Sequence, residues 1–99
     1  MTKESEYQGR MIQTIRRLLP GCIILKNDSS YLQGVPDIIV LYKDRWGTIE
    51  FKKNKTAKVQ PNQEHYIDVM NDMSFAAFLS PENELEVLRD LQLALRFAG

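Results

Sequence analysis

Apolar side chains recur along this chain with two different periods. Over 4–19, "ESEYQGRMIQTIRRLL", Tyr7, Met11, Ile12, Ile15, Leu18 and Leu19 fall at the spacing of one helix face. Pro20-Gly21 stops that helix. "CIILK" is a short continuous apolar run and reads as a strand, which makes Cys22 a buried strand residue. "NDSSYLQG" is polar and turn-rich, hence a loop. "VPDIIVLY" is a β-branched strand whose Pro36 is tolerated near its start. "KDRWG" reads as a hairpin loop, with Gly47 in the left-handed position and Trp46 at the tip, and "TIEFK" as the returning strand. A polar, basic connection, "KNKTAKVQPN", leads to a second helix over "QEHYIDVMNDM", with Tyr66, Ile67, Met70 and Met73 on its core face. "SFAAFLS" is a further strand. Ser80-Pro81-Glu82 then opens a last helix, with Ser80 as N-cap and Pro81 at the first helical position. Its buried stripe is Leu85, Val87, Leu88, Leu91 and Leu95. The order α-β-β-β-α-β-α implies an α/β fold, a small mixed sheet flanked by helices.

Composition narrows the class. The 99 residues suffice for one domain, spanning 1–99, and 43% apolar with 26% charged residues describe an ordinary globular protein. No apolar run is long enough for a membrane span, and "MTKESEYQGR" lacks the apolar core of a signal peptide, so a cytoplasmic location is expected. A single cysteine excludes an internal disulfide and a cysteine-based zinc cluster. Thirteen basic and thirteen acidic side chains balance, which disfavours a generic nucleic-acid coat. The charges are unevenly placed, however. Lys43, Arg45, Lys52, Lys53, Lys55 and Lys58 crowd the middle, whereas "SPENELEVLRD" is acidic, so a basic face opposite an acidic side is expected.

The chemistry concentrates in "GVPDIIVLYKDRWGTIEFKK". Period 2 puts Glu50 and Lys52 on one face of their strand and Ile49 and Phe51 on the other. Asp37 belongs to the partner strand. Asp37 and Glu50 flank the loop at unequal distances, so a bend or bulge is expected to bring them together, and Gly34 and Pro36 are suited to one. Converging carboxylates repel unless a cation sits between them, and oxygen ligands favour Mg²⁺ or Mn²⁺. A neighbouring lysine would orient an attacking water or neutralise charge on a phosphoryl transition state. A bare E-x-K also fits an ordinary ion pair on a solvated hairpin. The G-x-P-D one strand upstream moves the reading towards a metal-dependent phosphodiester hydrolase.

With "KESEYQGRMI" before it and "VQPNQEHYI" after it, this pattern resembles the VRR-NUC branch of the PD-(D/E)XK nuclease superfamily over essentially the whole chain. The resemblance implies a restriction-endonuclease-like core. Asp37, Glu50 and the Phe51 carbonyl would ligate Mg²⁺ or Mn²⁺, and Lys52 would be the catalytic lysine. An opening-helix acid, Glu4 with Glu6 as the alternative, would contact metal or water, and Gln63, or else Gln60, would be the helix glutamine. Lys26, Ser29 and Ser30, beside Tyr31, and Lys53, Lys55 and Lys58 would meet DNA phosphates. His65 reads as a surface residue. Trp46 would stack on a base, wedge a junction or pack at a dimer interface. Stand-alone members look like phage and bacterial homodimers acting on branched DNA, Holliday junctions foremost. The alternatives are a flap, single-strand or nicking nuclease of the same fold, or a DNA-binding module with a decayed site.

Overall fold

A computed structural model describes the backbone of residues 3–97 and the side chains of residues 5–96. The elements are α1 (Lys3–Leu18), β1 (Ile23–Lys26), β2 (Ile38–Tyr42), β3 (Arg45–Phe51), α2 (Gln63–Met73), β4 (Phe75–Leu79) and α3 (Glu84–Gln92), which continues as a π-helical turn over Leu93–Phe97. The expected order is thus the observed one. The sheet runs β1-β2-β3-β4. The first three strands form an antiparallel meander, and β4 lies parallel to β3. Parallel neighbours need a crossover, and α2 supplies it.

The sheet is covered unequally. One face carries Ile38, Val40, Tyr42, Ile49, Phe51 and Leu79 into a continuous core with Tyr7, Met11, Ile12, Ile15 and Leu19 of α1 and Val87, Leu88 and Leu91 of α3. On the other face α2 packs on β3 and β4. The central strand β3 is therefore buried on both sides from Gly47 onward.

Several local expectations are corrected. The hairpin turn is only Lys43-Asp44, with Lys43 at φ 57°. Gly47 lies inside β3 with no positive φ, and Trp46 pairs with Leu41 instead of capping the tip. Gly47 serves another need: a Cβ there would press on Leu91, Leu95 and Phe75 at 3.2–3.3 Å, so its absence lets α3 and its extension lie close on the sheet. The last helix begins three residues late, because Asn83 Oδ1 accepts the Ser80 N–H and holds 80–83 as a turn. Leu85 is 86% exposed, not core. It lies about 100° around the helix from the centre of the Val87, Leu88, Leu91 and Leu95 stripe. Met73, expected in the core, is 68% exposed, and Cys22 is half-buried just before β1.

Candidate active site

The two-residue turn makes the β2–β3 hairpin symmetric. Tyr42 pairs with Arg45 and Ile38 with Ile49. Continuing that register by one residue sets Asp37 directly across from Glu50. Of the expected bend or bulge, the backbone shows a bend at Asp37 and no bulge, because the turn is shorter than "KDRWG" suggests. Asp37 stands where the ladder ends, and its Oδ2 accepts the Phe51 N–H at 2.8 Å. Its own carbonyl accepts the Asn27 N–H at 2.8 Å, and Asn27 Nδ2 donates to the Pro36 carbonyl at 2.8 Å. The aspartate is thereby fixed from both sides of its peptide.

Glu50 and Lys52 point to the α2 face of β3. Both are buried, at 5% and 9% exposure. Buried charges demand partners, and α2 delivers one at its first residue. Gln63 Nε2 donates to Glu50 Oε2 at 2.8 Å, while Gln63 Oε1 accepts from Lys52 Nζ at 2.7 Å. The same oxygen accepts the Gln60 N–H at 2.8 Å. The amide orientation is forced, since the reverse would set an NH₂ group against an ammonium and a backbone donor. Lys52 Nζ also donates to the Lys58 carbonyl at 3.0 Å and lies 5.8 Å above the Phe78 ring. These bonds engage two of the three donors of the ammonium.

These groups open into a polar cavity of about 300 Å³ lined by Glu50, Lys52, Lys53, Ala57, Lys58, Gln60 and Gln63. Lys53, Lys55 and Lys58 are exposed on the β3–α2 connection, and Lys26 is exposed at the end of β1. Ser29 and Ser30 are exposed on the β1–β2 loop, where the Ser30 N–H and hydroxyl both donate to Asp28 Oδ1. Lys43 and Arg45 sit at the opposite, hairpin end of β3, so the basic middle of the sequence divides between the two ends of the sheet. His65 is exposed, its ring meeting that of Tyr66 edge-on. Glu6 is exposed on α1, and the side chain of Glu4 lies outside the described residues. Among the described residues no three histidine, cysteine, aspartate or glutamate side chains form a metal-binding cluster.

Sequence reasoning missed what joins the two limbs of the site. Gly34 sits at φ +89°, and a Cβ there would lie 2.6 Å from Asn62 Cβ and 2.7 Å from the Pro61 carbonyl oxygen. Asn62, itself at φ 70°, immediately precedes Gln63. The loop that carries Asp37 thus abuts the start of the helix that carries Gln63. Only the glycine, three residues before the aspartate, hinted at such a contact. The Lys58 carbonyl that receives Lys52 had no sequence signal, because any residue supplies a carbonyl.

The donor set suits a hard divalent cation. Asp37 and Glu50 lie at opposed positions of the hairpin beside the single ammonium of Lys52, an excess of negative charge that such a cation would balance. An ionised carboxylate offers about four acceptor sites, so it can take a hydrogen bond and a cation together.

No protein-family model matches the sequence, and a search of curated proteins returns no match. Among solved structures, one titled "VRR_NUC domain" superimposes with a TM-score of 0.68 at 20% identity, over 99% of this chain and 100% of the other. The fold is that of a VRR_NUC domain. The small mixed sheet and its three helices are therefore the architecture implied by the resemblance of "GVPDIIVLY" and "IEFKK".

Proposed function

We propose that this VRR_NUC-type domain is a metal-dependent, structure-selective DNA endonuclease that acts as a homodimer on branched DNA, with the Holliday junction as its leading substrate. The observation that carries the reading is the buried Glu50–Gln63–Lys52 relay opposite Asp37. An apolar residue would stabilise β3 better than a buried glutamate and lysine do, so their presence points to chemistry.

In this reading Asp37, Glu50 and the Phe51 carbonyl hold Mg²⁺ or Mn²⁺, with an opening-helix acid, Glu4 or Glu6, as a further contact. The cation supplies Lewis acidity and a water of lowered pKa. The chain's own groups do the rest. Gln63 fixes the Glu50 carboxylate and the Lys52 ammonium in one rigid unit, so neither must reorganise when substrate arrives. The third donor of Lys52 reaches the scissile phosphate or the attacking water. The water gives up a proton to solvent as its oxygen adds to phosphorus, one ester P–O bond breaks, and the departing alkoxide takes up a proton from solvent. Lys53, Lys55 and Lys58 on the β3–α2 connection, with Lys26, Ser29 and Ser30 at the end of β1 and on the β1–β2 loop, contact backbone phosphates, which gives a salt-dependent affinity without base readout. One domain holds one such site. Resolving a four-way junction takes two incisions, which a two-fold dimer supplies.

The test is incubation of a synthetic four-way junction with the purified chain and Mg²⁺, beside a flap and a linear duplex. The reading predicts paired incisions that are strongest on the junction and abolished in Asp37→Ala. A wild-type chain inert on all three, or an Asp37→Ala chain that cuts as well as wild type, contradicts it.

A further inference from the structure

The β1–β2 loop is polar, yet it holds one large ring in solvent. Tyr31 is 87% exposed. Among the described residues every other phenylalanine, tyrosine and tryptophan is buried or half-buried. The loop beneath the ring is closed and braced. At its base the Asn27 N–H donates to the Asp37 carbonyl, and Asn27 Nδ2 to the Pro36 carbonyl, both at 2.8 Å. Further along, the Asp28 carboxylate takes the Ser30 N–H and hydroxyl, and the Asp28 carbonyl takes the Tyr31 N–H at 3.1 Å and the Leu32 N–H at 3.3 Å. On the far side Asn62 Nδ2 donates to the Gln33 carbonyl at 3.4 Å, and Gly34 lies close against Asn62. The backbone that carries Tyr31 is thus tied to the peptide of Asp37 and to the start of α2. The ring itself stacks on no other described ring.

We infer that Tyr31 stacks on a DNA base where the strands branch, and so selects branched DNA over continuous duplex. The inference rests on the proposed function, which makes DNA the substrate, and names the residue that gives it structure selectivity. Three properties point there. The first is the kind of contact. An aromatic face stacks on any base, so it adds affinity without reading sequence. The second is preorganisation. The loop backbone is already fixed and a tyrosine has two side-chain torsions, so little freedom is lost when the ring is covered. The third is place. The loop is hydrogen-bonded to the peptide of Asp37, so a base held by Tyr31 fixes its strand relative to the candidate metal site. Trp46, which the sequence offered for the same task, is half-buried beside the hairpin turn, at the far end of β2 from Asp37. Discrimination follows from what each DNA exposes. In a continuous duplex both faces of a base are covered by its neighbours, and reaching one means unstacking it. At a branch point the stack is interrupted or readily opened, so a base face is available to the ring.

Fluorescence anisotropy with a labelled four-way junction and a linear duplex of equal length tests the contact, with Ca²⁺ in place of Mg²⁺ to keep the strands whole. Tyr31→Ala should weaken junction binding about 10-fold or more and leave duplex binding unchanged. Its melting curve should match wild type, because the ring packs on little. Tyr31→Phe, which keeps the ring, should bind the junction as wild type does. The salt dependence separates stacking from phosphate contact: Tyr31→Ala should keep the wild-type slope, whereas Lys55→Ala should reduce it by about one. A 2-aminopurine base at the branch point should be quenched by the wild-type chain and much less by Tyr31→Ala. Unchanged junction affinity in Tyr31→Ala, or an equal loss on junction and duplex, overturns the inference. If the wild-type chain still cuts the junction with Mg²⁺ in that case, the proposed function stands without it. A wild-type chain that binds neither DNA overturns both.

Discussion

Strand β3 serves two unlike environments at once. Ile49 and Phe51 enter an apolar core closed by α1 and α3, whereas Glu50 and Lys52, one residue away, enter a polar cavity bounded by α2. The first face is filled by packing, so its side chains are exchangeable for others of similar volume. The second is filled by directed hydrogen bonds around two buried charges, where removing one group leaves its partner unsatisfied. Stability and proposed chemistry are therefore carried by alternate residues of one strand. Substitutions on the two faces should fail in different assays.

The largest separation is expected for Lys52→Met. Single-turnover junction cleavage should fall by about 10³-fold or more. Urea denaturation should show a folded chain with a lowered midpoint, since the buried Glu50 carboxylate loses its counter-charge, and the loss of cleavage should exceed what that lowering explains. Phe51→Ala is its mirror image: loss of a fully buried ring should cost about 3–5 kcal/mol of unfolding free energy, read from the same urea transition.

Gly34→Ala lies between the two faces. A Cβ at φ +89° pressing on Asn62 and Pro61 should cost about 1–3 kcal/mol. It should also slow cleavage beyond what that loss explains, because the Asp37 loop and the Gln63 helix start are pushed apart. Saturating Mg²⁺ and substrate separate the slowed step from weakened binding.

The smallest effect belongs to the core side. Tyr7 packs edge-on against Phe51 and donates its hydroxyl to Glu84 at 2.9 Å, so Tyr7→Phe should lose about 1 kcal/mol. Burial, then the Glu84 hydrogen bond and charge, hold the Tyr7 hydroxyl well above its ordinary titration range. A folded pKa above the unfolded value of about 10 gives stability that is complete below that pH and declines as pH rises past it. Stability curves from pH 8 to 11 should show that alkaline decline in wild type and a shallower one in Tyr7→Phe.

The same contrast governs how much the sequence revealed. Periodicity located every helix and strand, because burying a face imposes a repeat on the residues that form it. It misjudged the ends where polar groups decide. Arg45 and Trp46 resemble loop residues, yet the left-handed Lys43 closes the turn in two residues and draws them into β3. Ser80-Pro81 resembles a helix start, yet the Asn83 side chain retains those residues in a turn. Around the candidate site, Asp37, Glu50 and Lys52 stood out because their chemistry is scarce at apolar strands, and Gln63 because it opens a helix; the structure brings Glu50, Gln63 and Lys52 into one hydrogen-bonded group. The Gly34–Asn62 contact and the Lys58 carbonyl were not, since backbone groups and close approaches leave little mark on residue identity. The exposure of Met73 was hidden because helical spacing gives a face, not the element that covers it.

Glu50 is the residue whose proposed role is most purely chemical, because an apolar side chain would serve the strand at least as well. The most direct test is Mg²⁺-dependent single-turnover cleavage of a four-way junction by Glu50→Gln, whose shape is nearly that of the wild-type side chain. The prediction is at least a ~10³-fold slower incision, restored by no increase in enzyme, from a protein whose melting curve is unchanged. Cleavage at the wild-type rate by a folded Glu50→Gln chain would contradict it.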